Sequence, residues 1–201
     1  MSVLGGGGAG WGPLAALDRH FAAVRPAEVH DADLLQASVA LIVAPDPASL
    51  LLIQRAARDG DPWSGQMALP GGRMGPEDAD LRATAMRETL EEVAIPLEAR
   101  HYIGQLDDVA PRTPDLPPLM VRPFVFRLPA RIDPDPCGRE VAGAFWIDLS
   151  DFTRPGAYGA ATFRLRGRGR VFPGYQLASG LVWGMTERII TPLLRGLSLI
   201  P

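Results

Sequence analysis

Three glutamates with helical spacing are the residues of this chain best suited to chemistry. Glu88, Glu91 and Glu92 stand in a stretch without Gly or Pro, and on a helix they fall within an arc of about 100°. Like charges at this spacing repel by roughly a few tenths of a kcal/mol per exposed pair, so a bound cation would explain the cluster. Oxygen ligands suit a hard ion such as Mg²⁺ or Mn²⁺, which can bridge substrate phosphates and orient a water molecule. The alternative for the bare pattern is a solvated acidic face.

These carboxylates need a helix to position them, and the sequence predicts one from about Ala79 to Val93. Met86, Leu90 and Val93 recur as an apolar stripe on the opposite side, with Ala83 at its edge. We therefore expect this stripe to pack on the core and the three acids to gather on the other face.

The elements around this helix are mostly short strands, which predicts an α+β fold. A hairpin is expected from strands 36–44 and 49–54, and a strand at 67–69 stops at the breaker Pro70-Gly71-Gly72. The other expected elements are a helix at 13–24, strands at 101–106, 121–128 and 144–147, loops at 109–118 and 129–139, a basic hairpin at 162–172 and a helix at 181–194. We expect one domain over 13–201 after a flexible Gly-rich tail at 1–12.

The segment from Gly72 to Ile95 resembles the signature of the Nudix hydrolase family. That signature runs Gly, five residues, Glu, seven residues, Arg-Glu, an apolar residue, any residue, Glu-Glu, any residue, Gly and an apolar residue. The matching positions here are Gly72, Arg87, Glu88, Glu91, Glu92 and Ile95.

Four positions depart from the signature. Asp78 replaces its first Glu, with Glu77 beside it, and eight residues instead of seven separate Asp78 from Arg87. Thr89 replaces the apolar residue, and Ala94 replaces the late Gly. The helix acids are intact.

The resemblance implies a Nudix-type α/β/α sandwich with a central mixed sheet and an acidic catalytic helix. It also implies a pyrophosphohydrolase whose metal ligands are Glu88, Glu91 and Glu92, with Mg²⁺ or Mn²⁺ as the cofactor. Arg87 would hold the cluster in shape by pairing with a carboxylate, and the Gly71-Gly72 peptides would lie near the metal. The general base stays open between a helix glutamate and a later acidic residue. Glu140 is the candidate for the latter, ahead of Asp107 and Asp108.

The stretch from Arg55 through Trp63 to Gly72 resembles the coenzyme A pyrophosphatase-like branch, as does Val182-Trp183-Gly184-Met185-Thr186. This resemblance implies cleavage of coenzyme A to 3′,5′-ADP and phosphopantetheine, with Arg55, Trp63, Gly71 and Gly72 near the substrate. Trp63 stands where a His is common, so other substrates stay open: ADP-ribose, NADH, dinucleoside polyphosphates and nucleoside triphosphates. A non-catalytic nucleotide-binding regulator and an RNA pyrophosphohydrolase are further alternatives.

Arginines alternate along one stretch of the predicted basic hairpin, at 164, 166, 168 and 170. On a strand they would share one face. They form either a clamp for a substrate phosphate or an exposed, solubilising strand. Trp63 and Trp183 likewise stack on an adenine or simply belong to the core.

Composition says little about partners, but it bears on some other classes of protein and site. The formal net charge of -3 argues against a dedicated nucleic-acid binder, although all 20 basic residues are Arg. The single cysteine, Cys137, allows no internal disulfide and fits a cytoplasmic location. No apolar run is long enough for a membrane helix, and the three histidines lack zinc-ligand spacing. A homodimer is possible if the apolar C-terminal end, with Leu197, Leu199 and Ile200, is exposed.

Overall fold

A mixed seven-stranded sheet forms the centre of the computed structural model, which describes residues 12–31, 33–57, 64–111, 118–136, 140–165 and 168–201. Its main path has the order β3-β2-β1-β6-β5, while β4 pairs with β1 and β7 pairs with β2. The strands are β1 (Leu35–Ala44), β2 (Ser49–Arg55), β3 (Met67–Ala68), β4 (Gly71–Arg73), β5 (Tyr102–Gln105), β6 (Leu119–Arg127) and β7 (Val141–Asp148).

Strand β1 lies at the centre of this sheet, and both of its faces are covered. It runs parallel to β6 over nine residue pairs, from Leu35↔Leu119 to Val43↔Arg127. Its residues from Leu41 to Ala44 are fully buried, as expected for a strand packed on both sides. Alternate β1 residues therefore contribute to two separate apolar clusters.

One cluster lies under helix α2 (Leu81–Val93) and includes Ala40 and Ile42 from β1. The other lies under helix α4 (Gly184–Gly196) and includes Leu41 and Val43. The two helices thus cover opposite faces of the sheet, which gives the layered arrangement predicted from the sequence.

A second, three-stranded antiparallel sheet joins the α4 side. It consists of β8 (Tyr158–Leu165), β9 (Arg168–Leu177) and β10 (Gly180–Trp183), in the order β10-β9-β8. Tyr175 and Val182 from this sheet belong to the same apolar cluster as the residues of α4. Two short helices complete the described fold, α1 (Leu17–Ala23) and α3 (Leu149–Thr153).

Most predicted elements are confirmed, with shifted ends. The hairpin of β1 and β2 is present, as is the hairpin of β8 and β9. The expected N-terminal helix begins as a 3₁₀ turn over Gly12–Ala16 and continues as α1. Residues 1–11 of the expected tail, and the side chains of the arginines at 164–170, lie outside the described residues.

Three elements differ from the prediction. The strand does stop at the Pro-Gly-Gly breaker, but Gly71 and Gly72 also open the unpredicted strand β4 and pair with Val39 and Ser38 of β1. The last helix begins at Gly184 instead of about Leu181 because residues 180–183 form β10. Helix α3 was not predicted.

The C-terminal end is not the exposed apolar surface that the sequence suggested. Leu197 is 5% exposed, and Leu199 and Ile200 pack against the cluster under α4. The surface that was offered for a homodimer is therefore used within the chain. None of the described helices is long and apolar enough to cross a membrane.

Candidate active site

Helix α2 begins and ends at defined caps. The Asp80 side chain accepts a hydrogen bond from the Ala83 N–H at 2.7 Å, which satisfies one of the free N–H groups of the first turn. The helix ends at Ala94, which adopts the left-handed conformation with φ 56° and donates its N–H to Leu90. This is the position where the Nudix signature has Gly, the residue that adopts a left-handed helix end without strain.

The orientation of α2 differs from the prediction. Leu90, expected in the core, is 51% exposed, whereas Thr89 and Glu92 are buried. Thr89 tolerates burial because its hydroxyl donates to the Ala85 carbonyl at 2.7 Å. The helix therefore turns Glu92 and the half-buried Glu88 towards the sheet, and it leaves Glu91 in solvent. The acids do not lie opposite the core face, although Val93 and Met86 do pack against the core.

Strand β4 comes so close to α2 that glycine is required there. A Cβ added to Gly72 would lie 2.4 Å from the carboxyl carbon and Oε1 of Glu88. Gly71 has φ 149°, and a Cβ there would lie 2.2 Å from the Ser38 carbonyl oxygen. The N–H of Gly71 donates to Glu92 Oε2 at 2.9 Å. The Pro-Gly-Gly segment therefore places its backbone directly against two of the three carboxylates.

Asp78 fixes the arginine of the cluster. Arg87 donates from Nε to Asp78 Oδ1 and from Nη2 to Asp78 Oδ2, both at 2.9 Å. Asp78 Oδ2 also accepts from the Gly75 N–H at 2.8 Å and the Thr84 hydroxyl at 3.0 Å. The Asp78 side chain is 4% exposed, and its pKa lies well below the usual range, mainly because Arg87 hydrogen-bonds to it.

The other side of the Arg87 guanidinium contacts the helix acids. Its Nη1 donates to Glu88 Oε1 at 2.9 Å and to Glu91 Oε2 at 3.1 Å. One arginine therefore bonds three carboxylates and uses one oxygen each of Glu88 and Glu91. This is the carboxylate pairing that the sequence predicted for Arg87, and Asp78 is its main partner.

Burial shifts the titration of the two glutamates that face the sheet. It raises the pKa of Glu92 to about 7, against the lowering effect of the Gly71 N–H, and it raises the pKa of Glu88. The charge of Glu140 adds to both shifts, and the charge of Arg55 lowers the pKa of Glu92. Glu140 and Arg55 therefore lie within electrostatic range of the cluster.

The backbone explains why Arg55 and Glu140 come together. Arg55 is the last residue of β2 and pairs with Val141 of β7, and the carbonyl of Glu140 accepts from the Ala56 N–H at 2.8 Å. Two residues far apart in sequence thus lie side by side at the sheet end nearest the acids.

The residues of this cluster fit a divalent cation by their chemistry. All the available ligands are carboxylate oxygens, the donors that Mg²⁺ and Mn²⁺ prefer, and the Glu88 carboxyl group occupies the space that a side chain at Gly72 would need. Among the described residues, no three acidic, His or Cys side chains converge as a ready-made metal site. The hydrogen bonds from Arg87 hold Glu88 and Glu91 as they stand.

Other residues singled out from the sequence lie elsewhere. Trp63 and Cys137 are outside the described residues. The half-buried Trp183, at the end of β10, packs against Phe172 with ring centroids 4.9 Å apart. Asp107 and Asp108 accept from the backbone N–H groups of Ala27 and Val29 and so hold the N-terminal segment.

A cleft of about 430 Å³ opens at the N-terminal end of α2. Its described lining includes Gln36, Arg82, Tyr102 and Arg122, but none of the three helix glutamates. Arg122 is engaged by the buried Asp108 through two bonds of 2.8 Å. This cleft is therefore separate from the acidic cluster.

Sequence reasoning assigned no role to two residues of the site. Asp78 was noted only as a departure from the signature, and its spacing from Arg87 gave no signal, because side chains pair along a helix at three or four residues apart. Ser38 carried no signal, because a small polar residue in a buried strand is common.

Comparison with known proteins agrees with this geometry. The family profile of the NUDIX domain matches residues 34–165. The chain is 34% identical over 156 residues to the "Uncharacterized Nudix hydrolase NudL" of Yersinia enterocolitica, covering 77% of this chain and 76% of that protein. It is 44% identical over 110 residues to the "Uncharacterized protein C14C4.10c" of Schizosaccharomyces pombe, covering 53% of this chain but only 33% of that protein.

A solved structure shares the fold at low sequence identity. It is the bifunctional NMN adenylyltransferase/ADP ribose pyrophosphatase of Francisella tularensis complexed with AMP and a Mn ion. The TM-score is 0.56 and the identity 17%, over 92% of this chain and 46% of that one. From the matched profile and the NudL relative, the chain belongs to the Nudix family of pyrophosphohydrolases.

Proposed function

We propose that this protein hydrolyses the pyrophosphate bond of small nucleoside-diphosphate-linked molecules with the help of a divalent cation. The observation that carries the proposal is the docking of the acidic helix on the Gly71-Gly72 backbone. It places Glu88 against Gly72, hydrogen-bonds Glu92 to the Gly71 N–H, and leaves Glu91 open to solvent.

In this proposal Glu88, Glu91 and Glu92 hold the cation, and Arg87 is a positioning residue. The cation would neutralise the diphosphate and lower the pKa of the attacking water. Arg87 bridges Glu88 and Glu91 while Asp78 holds the arginine from behind. Arg87 uses one oxygen of each of these glutamates, which leaves their other oxygens as candidate ligands for the cation.

Glu140 is our candidate for the general base, with a helix glutamate as the alternative. Two facts support it: Glu140 is exposed, and its charge acts on both Glu88 and Glu92. A base must reach a water held at the metal while keeping contact with solvent. Glu140→Gln should then lower kcat and leave the affinity for Mn²⁺ nearly unchanged.

Two substrates head the candidates. Coenzyme A is supported by the resemblance of the Arg55–Gly72 lead-in to the coenzyme A pyrophosphatase-like branch, and by the position of Arg55 beside the cluster. ADP-ribose is supported as well by the shared fold with an enzyme named as an ADP ribose pyrophosphatase. Both compounds contain an adenosine diphosphate whose central pyrophosphate suits the same chemistry.

The test is a substrate panel with Mg²⁺ or Mn²⁺, analysed by chromatography of the products. The panel contains coenzyme A, ADP-ribose, NADH, diadenosine polyphosphates and nucleoside triphosphates. Coenzyme A cleaved to 3′,5′-ADP faster than the others would support the first candidate, whereas AMP and ribose 5-phosphate from ADP-ribose would support the second.

Two variants link the activity to the site. Glu92→Gln should lower kcat by about 10²-fold or more, since it removes a charged ligand. Glu98→Gln, at an exposed glutamate paired with Arg100, is the matched control and should behave as the parent protein. Normal turnover by Glu92→Gln would contradict the proposed role of that residue, and no turnover of any compound by the parent protein would contradict hydrolysis.

A further inference from the structure

One buried hydroxyl beneath the acidic helix has no hydrogen-bond partner. Ser38 is 0% exposed, and its Oγ bonds to nothing in the described structure. Most buried hydroxyls in proteins are paired, because an unpaired one has lost its bonds to water without replacement. A buried polar group left unpaired therefore calls for a reason.

The sheet register places this hydroxyl beside the candidate site. Ser38 of β1 stands opposite Gly72 of β4 and next to Arg122 of β6. Paired residues point to the same face, which here is the face covered by α2, since Ala40 and Ile42 of the same row pack against that helix. Glu88 reaches the same place, because its carboxyl group lies against Gly72.

The spacing between Ser38 and Glu88 follows from these contacts. Opposed Cβ atoms of an antiparallel pair lie about 4.5–5.5 Å apart, and a Cβ on Gly72 would lie 2.4 Å from the Glu88 carboxyl carbon. The Ser38 hydroxyl is thus roughly one strand spacing from the carboxylate. Gly72, lacking a side chain, leaves nothing between them.

We propose that Ser38 is a positioning residue for Glu88, and that its hydroxyl donates to this carboxylate in the cation-bound protein. The proposal rests on the proposed function, in which Glu88 is a metal ligand. In the described structure Glu88 Oε1 accepts from Arg87. A cation that takes over part of that carboxylate would change its orientation, and Ser38 Oγ is an unpaired buried donor on the same face of the sheet.

This role gives opposite effects on stability and on binding. The hydroxyl has no partner in the described structure, so Ser38→Ala should stabilise the protein in EDTA and raise its Tm by about 2–4 °C. With metal the same change removes a hydrogen bond to a charged group, so the Kd for Mn²⁺ should rise about tenfold. A purely structural serine would not move the two quantities in opposite directions.

The experiment measures the Tm of the protein in EDTA and titrates Mn²⁺ by electron paramagnetic resonance. Ser179→Ala is the matched control, because Ser179 Oγ is also buried and unpaired but lies on the β9–β10 turn. It should raise the Tm and leave Mn²⁺ affinity and kcat unchanged. Ser38→Cys, which keeps a weak donor, should bind Mn²⁺ with an intermediate affinity.

Each result supports or overturns the inference. A higher Tm together with weaker Mn²⁺ binding in Ser38→Ala supports it. Unchanged Mn²⁺ affinity and kcat overturn it, and so does a lower Tm in EDTA, since that would show a partner for the hydroxyl in the metal-free protein. Glu88→Gln separates the two proposals: if it keeps normal turnover, the proposed function itself has failed, whatever Ser38 does.

Discussion

Replacing Asp78 by Asn tests whether the bond between Asp78 and Arg87 holds the acidic cluster together. The side chain of Asp78 accepts four hydrogen bonds of 2.8 to 3.0 Å, two of them from the guanidinium of Arg87. Asparagine keeps one acceptor oxygen, but it puts an NH₂ group against a donor and removes the charge. At least one bond to Arg87 is therefore lost in Asp78→Asn.

The magnitude follows from burial. Removing one partner of a fully buried ion pair costs about 3–5 kcal/mol. Arg87 is 33% exposed and keeps its bonds to Glu88 and Glu91, so we expect a loss of about 2–3 kcal/mol in the free energy of unfolding. For a chain of this length that corresponds to a fall in Tm of about 5–10 °C.

The loss should also depend on pH. Hydrogen bonds from Arg87 hold the pKa of Asp78 below its ordinary value, so the folded protein binds fewer protons here than the unfolded chain. The stabilisation is complete above the unfolded pKa of about 3.9 and is lost as the pH falls towards the folded value. The difference between the parent protein and Asp78→Asn should therefore be largest at pH 7 and smaller at pH 3.

The assay is urea denaturation of both proteins at these two pH values. Asp151→Asn is the control, since Asp151 pairs with Arg154 on the surface, where the side chains are 44% and 54% exposed. Its loss should stay below about 1 kcal/mol. If Asp78→Asn proves as stable as this control at pH 7, Asp78 does not anchor Arg87.

Three further predictions concern α2 and its contact with β4. Ala94→Gly should raise the free energy of unfolding by about 1 kcal/mol, because Ala94 is left-handed. The control Ala83→Gly, inside the helix, should lower the free energy of unfolding by about the same amount. Equal effects of the two changes in urea denaturation would contradict this. Gly72→Ala should reduce kcat by at least about tenfold, since its Cβ would meet the Glu88 carboxyl group, and parent-like kinetics would show that the contact is easily relaxed. Burial raises the pKa of Glu92 to about 7. In EDTA the free energy of unfolding of the parent protein should therefore fall by up to about 3 kcal/mol as the pH rises from 4.5 to 8. Urea denaturation of Glu92→Gln at both pH values should not show this fall.

The sequence predicted the path of the chain near the site better than it predicted the face of the helix. The helix from about Ala79 to Val93 is present within two residues of its expected start. The prediction of its buried face was wrong because hydropathy ranks Leu90 above Thr89. In the structure the smaller Thr89 packs against the sheet, and its hydroxyl is paired with the Ala85 carbonyl. A local bond of this kind cannot be read from periodicity.

The sequence also could not predict contacts between segments that are far apart in the chain. Arg55 and Glu140 meet only because β2 and β7 are neighbours, and Ser38 faces Gly72 only through the register of β1 and β4. Each pairing depends on strand order, which local patterns do not encode.

The charges of the cluster lead to a last prediction, because one guanidinium serves three carboxylates. Arg87 bonds Asp78, Glu88 and Glu91, and the buried Glu92 adds a further acid. A divalent cation that binds only the folded protein would stabilise it by about 2.7 kcal/mol at a concentration of one hundred times Kd, or about 5–10 °C in Tm. Mn²⁺ should therefore raise the Tm of the parent protein, EDTA should reverse the rise, and Glu88→Gln should show little of it. A Tm that does not respond to Mn²⁺ or Mg²⁺ would mean that the arginines around the cluster balance these acids without a cation, and the metal assignment would be wrong.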